Sequence, residues 1–345
     1  MPDHSDLELQ NLFAGLGFVT SSPEMLPVLA RARKAAQVSD ITVLIEGETG
    51  TGKQVIARAI HQLDQKRRGF PFITVHCSTI TEALAESELF GHQRGAFSGA
   101  VSERKGLFQA ANHGTLLLDD INDLPAPLQP KLLDVVQRGT VRPVGCDRET
   151  AVDVRIIAAC NQPLEPLVRE GRFRSDLYHR LNVVKLSLPP LRDRGSDLAQ
   201  VMLALARRHS RIFTPIDSIE PALLALLVCQ PFPGNVRELE NTVQRMLFAK
   251  TGGTSLGVAD WVNQTPPQAE AGETDALTEV AHVIWKVIDQ LDMPYAQAFQ
   301  EIEKRVLEAA LNTQGSTRRQ IAQRLHTSER TLYYKLRSHG LSSGA

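Results

Sequence analysis

Apolar positions fall along the chain in two periods. Ile41-Thr42-Val43-Leu44-Ile45, Leu116-Leu117-Leu118 and Val154-Arg155-Ile156-Ile157-Ala158-Ala159 are near-continuous runs, the pattern of buried strands. Val55-Ile56-Ala57-Arg58-Ala59-Ile60-His61 instead spaces its apolar residues at helical intervals. Alternation of the two patterns predicts an α/β fold. Toward the C-terminus the pattern is helical only. Ala281 to Leu311 reads as a helix, and Thr317-Arg318-Arg319-Gln320 has capping-box form. Ile321, Ala322 and Leu325 then give one helix an inward face. After a turn at His326-Thr327, a second helix from Ser328 carries Leu332 and Leu336 inward and Arg330, Tyr334 and Lys335 outward. This pair predicts an all-α helix-turn-helix domain whose second helix enters the major groove of double-stranded DNA. Arg318, Arg319, Thr327, Ser328, Arg330, Tyr334 and Lys335 are its candidate DNA-binding residues, with Ser328 and Arg330 nearest the base edges.

The strand at Ile41–Ile45 runs into Gly47-Glu48-Thr49-Gly50-Thr51-Gly52-Lys53 and then the helical pattern. That strand, glycine-rich turn and helix bring free N–H groups and a positive helix end to where phosphates can sit. Lys53 would reach the β- and γ-phosphates, so the loop from Gly47 to Gln54 is the expected ATP site. Downstream, Gly114-Thr115-Leu116-Leu117-Leu118-Asp119-Asp120 is an apolar strand ending in two carboxylates. Asp119 suits Mg2+, directly or through water, and Asp120 suits orienting or deprotonating the attacking water.

At this point the chain resembles the AAA+ activators of sigma-54 RNA polymerase, the bacterial enhancer-binding proteins. The likeness runs from about Phe18 to the C-terminus through several separate motifs. They are Glu88-Leu89-Phe90-Gly91-His92 leading into Gly95-Ala96-Phe97-Ser98-Gly99-Ala100, Phe173-Arg174-Ser175-Asp176-Leu177-Tyr178-His179-Arg180-Leu181, Pro189-Pro190-Leu191-Arg192-Asp193-Arg194, and Pro233-Gly234-Asn235-Val236-Arg237-Glu238-Leu239. The resemblance implies an AAA+ P-loop NTPase core with a helical lid and a Fis-type helix-turn-helix. It implies that Gly95 to Ala100 contacts sigma-54, with glycines permitting a tight excursion and Phe97 as an apolar anchor. It also implies that Arg174 and Arg180 are arginine fingers reaching a neighbouring subunit, that Arg237 senses nucleotide from the lid, and that Asn161 helps place the water. Were the segment around the two arginines helical, about 100° per residue would turn them to different faces and separate duties.

Several positions depart from the family pattern. Asp120 stands where Glu is usual, His76 where Asn is usual, Cys160 for Thr, Ser98 for Thr, and Gln54, Gln93 and Gln109 for Glu. Glu329 sits where the Fis-type domain commonly has a basic residue. The shorter Asp120 either slows turnover or is met by a longer-reaching His76, which makes His76 a catalytic candidate beside Asp119, Asp120, Asn161, Arg174 and Arg180.

With 345 residues and 42% hydrophobic content, the chain can bury a large core in two or more domains. A net charge of −1 hides a local excess of Arg and Lys after Gly315. Cys77, Cys146, Cys160 and Cys229 lack metal spacing and fit reduced thiols in a cytoplasm. No leader or long apolar span is seen, so no membrane partner is expected. Residues 1–17 are expected to be a short tail, 18–188 the α/β subdomain, 189–250 the lid, 251–280 a linker containing the polar, Pro- and Gly-bearing stretch 263–273, and 281–345 the DNA-binding domain. Seventeen residues cannot fold into the receiver or sensing domain most such activators carry, so control is expected from a trans-acting regulatory protein, expression level or nucleotide supply.

The expected function is an ATP-dependent transcription activator that binds upstream DNA as a dimer, assembles into a ring, expected to be a hexamer, and remodels sigma-54 RNA polymerase. Two other readings stay open. One is a DNA-binding repressor or co-regulator with a weakly active or inert nucleotide site, favoured by Asp120 and His76. The other is an AAA+ remodeller of a different protein.

Overall fold

The computed structural model describes residues 4–79, 82–97, 100–209, 215–250 and 252–262, and beyond these Lys304, Leu307, Leu311, Ala322 and Leu336. The chain divides into two compact units, Met1–Thr265 and Pro266–Ala345.

The centre of the first unit is a five-stranded sheet of β1 (Val43–Glu46), β2 (Phe72–His76), β3 (Thr115–Asp119), β4 (Arg155–Cys160) and β5 (Val184–Ser187). Its order is β2-β3-β4-β1-β5, and every pairing is parallel. Strands β1, β3 and β4 are buried along their whole length, which is why each reads as a near-continuous apolar run. The chain leaves β1 toward the β2 side and later returns to β5 on the other flank. In such sheets the crevice at the carboxyl ends of the strands, where the winding reverses, is where ligands sit.

Helices cover both faces. On one, Ile56, Ala57, Ala59 and Ile60 of the helix Lys53–Leu63 pack with Leu29 and Ala32 of Leu26–Ala36 over Val43, Ile45, Leu117 and Ile157. On the other, Phe90, Phe108, Leu132 and Leu177 pack over Leu44, Leu116, Leu118 and Ala158. The expected N-terminal tail is a helix, His4–Gly15, which buries Leu9 and Phe13 in the first of these cores. Leu9, Leu12, Phe13 and Leu16 already stood at helical spacing in the sequence.

The lid has its own core, in which Leu198, Met202 and Leu205 of Asp197–His209, Leu223 and Leu227 of Pro221–Val228, and Leu239, Val243 and Met246 of Asn235–Ala249 meet. Lid structure continues past residue 250, because Leu256 is buried there and Val258 and Trp261 of the helix Val258–Val262 pack against it. The segment before the phosphate loop ties into this lid. Buried Asp197 accepts hydrogen bonds from Thr20 Oγ1 at 2.7 Å, Ser21 N at 2.6 Å and Ser22 N at 2.8 Å.

In the second unit, Lys304, Leu307 and Leu311 are helical, as are Ala322 and Leu336, and Leu307, Ala322 and Leu336 are buried. Arg318, Arg319, Thr327, Ser328, Arg330, Tyr334 and Lys335 lie outside the described residues, as does the linker stretch 263–273. Among the described residues, no helix is long and apolar enough to cross a membrane.

Candidate functional site

The sequence dictates the shape of the loop after β1. Gly50 has φ 79°, and a Cβ there would lie 2.1 Å from the Gly234 carbonyl oxygen. Gly52 has φ 102°, caps the helix Lys53–Leu63, and leaves room for the Phe18 ring, which a Cβ would meet at 2.8 Å. Only glycine meets both demands cheaply. The loop opens on a cavity of about 420 Å³ at the carboxyl ends of the strands. Thr49 to Gln54, His76, Asp119, Asp120, Asn161 and Arg237 line it, so most of the predicted nucleotide and catalytic residues converge on one space.

Lys53 is buried and donates from Nζ to the Gly47 carbonyl at 2.7 Å and the Glu48 carbonyl at 3.1 Å. Burial lowers its pKa while Asp119 and Asp120 oppose that shift. Its charge is therefore held at the loop by carbonyl dipoles that an anionic ligand can replace. Gln54 Nε2 donates to Asp119 Oδ2 at 2.7 Å, fixing that carboxylate from the next helix turn.

His76 and Asp119 are the last residues of β2 and β3 and are register partners. His76 Nδ1 lies 3.3 Å from Asp119 Oδ2. Asp120 follows in the left-handed region at φ 52°, and its N–H donates to Asp119 Oδ1 at 3.2 Å. Asp120 Oδ2 accepts from Ser78 Oγ at 3.4 Å. Of the two alternatives left open for the shorter Asp120, a His76 that reaches it is not the contact seen: the imidazole pairs with Asp119, because the sheet sets those two side by side. Cys160 ends β4 fully buried, and burial pushes its thiol up, while burial likewise pushes the Cys77 thiol, just after β2, up to about 12. Neither is a nucleophile at neutral pH.

The lid latches onto the loop through residues for which no role was expected. Arg192 grips Glu48 with two hydrogen bonds of 2.6 and 2.8 Å. Buried Asn235 donates to Glu48 Oε2 at 3.2 Å and to the Thr49 carbonyl at 2.9 Å, and accepts from Leu191 N at 2.7 Å. Val236 N donates to the Gly50 carbonyl at 3.0 Å. Arg192 and, second, Asn235 pull the Glu48 carboxyl down to about 2. Arg194, buried beside the cavity, donates to the Pro189 carbonyl at 2.7 Å and the Thr51 carbonyl at 3.2 Å, and burial pulls its guanidinium down to about 10. Asn235 and Arg194 stood inside motifs quoted from the sequence, and their unusual burial for polar side chains was the missing signal.

Three predicted groups lie away from the cavity. Arg174 precedes the helix Ser175–Leu181 as its extended N-cap, so it does not share a helix with Arg180, and helical rotation does not set the angle between the two side chains. Its guanidinium is exposed and forks onto Asp176 at 3.0 and 2.7 Å. Arg180 is also exposed. The loop before Ala100 springs from a two-stranded ladder, Gly91–His92 with Arg104–Lys105. Gly95 N donates to the Ala100 carbonyl at 2.9 Å, and Ala100 N to the Phe97 carbonyl at 3.0 Å. Phe97 is 40% exposed, with its ring edge-on to buried His92 at 5.0 Å, and His92 is held by Ser87 at 2.6 Å. Ser98 and Gly99 lie outside the described residues.

The sheet order, the phosphate loop at the end of its central strand, the acid-ended neighbour and the helical lid together define an AAA+ P-loop NTPase. Family models match in three places: the Sigma-54 interaction domain at residues 18–187, the AAA+ ATPase lid domain at 192–276, and the bacterial regulatory protein, Fis family, at 298–339. The chain belongs to the sigma-54-dependent transcriptional activators, AAA+ ATPases with a Fis-type DNA-binding region. It is 40% identical to the regulatory protein AtoC of Escherichia coli K12, over 94% of this chain and 68% of that relative. It is 41% identical to the transcriptional regulatory protein GlrR of the same strain, over 87% and 65%, and 40% identical to the DNA-binding transcriptional activator HyfR, over 98% and 49%. Among solved structures, NtrX from Brucella abortus in complex with ATP is similar at TM-score 0.64 and 30% identity, covering 94% of this chain and 69% of that one.

Proposed function

We propose that the chain binds DNA upstream of a promoter as a dimer, assembles into a hexameric ring, and uses ATP hydrolysis to drive the Phe97 loop against sigma-54 RNA polymerase, so that the closed promoter complex opens. The observation that carries this reading is a separation. A complete phosphate-binding cavity lies in one place, while Arg174, Arg180 and Phe97 stand exposed elsewhere on the same α/β body. An arginine that does not line its own subunit's cavity is available to a neighbour's.

In this reading, Gly47 to Gln54 wrap the phosphates and Lys53 leaves the loop carbonyls to meet the β- and γ-phosphates. Arg237 reads the nucleotide from the lid. The Asp119 carboxylate fits Mg2+, which when bound would offset the charge of the phosphates. Asp120, with Asn161 of the same cavity lining, orients and deprotonates the attacking water. Arg174 or Arg180 of an adjoining subunit offsets charge developing in phosphoryl transfer, and the other holds the interface. The Gly95 to Ala100 loop carries the nucleotide state to sigma-54, and Arg318, Arg319, Thr327, Ser328, Arg330, Tyr334 and Lys335 hold the upstream site. The setting is the cytoplasm, with a trans-acting protein as one regulator.

Steady-state hydrolysis across a protein concentration series tests the reading. The expected rate per subunit rises with concentration and vanishes in Lys53→Ala. A concentration-independent rate would remove the shared sites, and a rate surviving in Lys53→Ala would remove this cavity.

A further inference from the structure

The cavity floor carries a donor set that oxygen-only Mg2+ chemistry does not call for. His76, Asp119 and Asp120 each offer a ligand atom, and the three atoms lie within 4.8 Å of one another. Nitrogen and oxygen ligands held about 2.0 to 2.2 Å from one ion can be no more than about 4.4 Å apart, so small side-chain rotations close the set. We propose that His76, Asp119 and Asp120 form a site for a first-row transition cation, of the Mn2+, Co2+ or Zn2+ class, which takes that ion in preference to Mg2+ and without nucleotide.

The backbone already holds the set together. His76 and Asp119 are register partners at the ends of adjacent parallel strands, and the left-handed turn at Asp120 follows directly. Gln54 Nε2 orients Asp119 from the helix, as an outer-shell partner orients a ligating carboxylate. Lys53, the nearest cation of the phosphate loop, is turned to the Gly47 and Glu48 carbonyls, so neither carboxylate is spent on it. Two carboxylates then face a divalent ion with a neutral imidazole completing three ligands. Other positions remain open to water, or to phosphate oxygens when nucleotide enters.

The imidazole decides the preference. Mg2+ demands hard oxygen ligands and keeps its waters, whereas imidazole suits Zn2+, Cu2+, Fe2+ and Ni2+, and affinity at a mixed nitrogen and oxygen site rises from Mn2+ through Co2+. His76 is thus a metal-selecting residue at a motor's catalytic floor. This inference rests on the reading of the cavity as the nucleotide site only for its consequence, that the metal nucleotide bound here need not be the Mg2+ form.

The test uses the full-length protein free of nucleotide, titrated with Co2+ and followed by its visible d–d absorption, with Mn2+ and Mg2+ as competitors. Binding of a fluorescent ATP analogue is measured in parallel without metal, and thermal unfolding checks each variant. The expected result is saturable uptake of a single Co2+ per chain, displaced by excess Mn2+ and only by far greater excess of Mg2+. Affinity falls at least about tenfold in His76→Asn and again in Asp120→Asn. Uptake unchanged in both variants overturns the inference, as does Mg2+ competing on equal terms, or absorption with thiolate charge transfer that is lost in Cys77→Ser. Co2+ failing to bind while the ATP analogue binds removes this inference alone. The analogue failing to bind removes the nucleotide reading instead.

Discussion

Asp120 leaves the end of β3 at φ 52°, a backbone angle that Asp tolerates better than most residues and that swings its carboxylate off the line of the strand. If that carboxylate is the base, Asp120→Asn lowers kcat by about 100-fold or more while nucleotide still binds, as rapid-quench hydrolysis beside equilibrium binding would read. Equal losses of binding and turnover would instead make Asp120 a binding group. Gly50 makes a different demand. Gly50→Ala forces a side chain to φ 79° and into the Gly234 carbonyl at 2.1 Å, so the lid must shift or the loop must strain. The expected cost is about 1 to 3 kcal/mol, seen as a lowered denaturation midpoint together with weaker nucleotide binding. At this scale the sequence was legible where its signal was local. Glycines and Lys53 sit within one turn of each other, and the Asp119-Asp120 pair ends a run too apolar for anything but a strand. The contact of His76 was not legible, because strand order, not sequence neighbourhood, decides which residue stands beside it.

Between elements, the latch of Arg192 and Asn235 onto the phosphate loop joins parts 144 and 187 residues apart, and no local pattern announces it. Its pH dependence has a definite sign. The Glu48 carboxyl is lowered from 4.5 to about 2, so its contribution is complete above 4.5 and is lost as pH falls toward 2. Because the pair is nearly half exposed, solvent screens it and the effect is modest. Thermal melts from pH 6 to 3 are expected to show the wild type losing more midpoint than Glu48→Gln. Parallel curves would mean that the latch does not respond to protonation of Glu48. The Phe97 loop makes the opposite case, since its glycines and lone aromatic were readable from sequence and the ring is exposed against His92. Phe97→Ala is expected to keep ATP hydrolysis and fold while abolishing sigma-54-dependent open-complex formation in a permanganate footprint. Retained opening would dismiss the loop as the contact.

For the whole molecule, the α/β class followed from alternating strand and helix patterns, and the parallel order β2-β3-β4-β1-β5 completes it. The first helix escaped notice because few residues carry its stripe and it is stabilised only by docking Leu9 and Phe13 on a core formed from later sequence. Exposure of Arg174 on the same body as an intact cavity makes a mixing experiment decisive. Lys53→Ala and Arg174→Ala are each expected to be inactive, and an equimolar mixture is expected to recover a fraction of the wild-type rate. Interfaces between unlike subunits would bring an intact loop and an intact arginine together. A mixture as silent as its parents would rule out Arg174 as the residue donated between subunits.

The hold of Asp197 on Thr20, Ser21 and Ser22 makes the start of the chain a strap under the lid. Traction on the first helix is delivered through that strap to the helix Asp197–His209, whose residues Val201, Ala204 and Leu205 line the nucleotide cavity. Cargo fused ahead of His4 therefore leaves the strap whole. Trimming the chain through Ser22 unbuckles the lid from this side, leaving the contacts of Arg192, Arg194, Asn235 and Val236 with the phosphate loop to hold it.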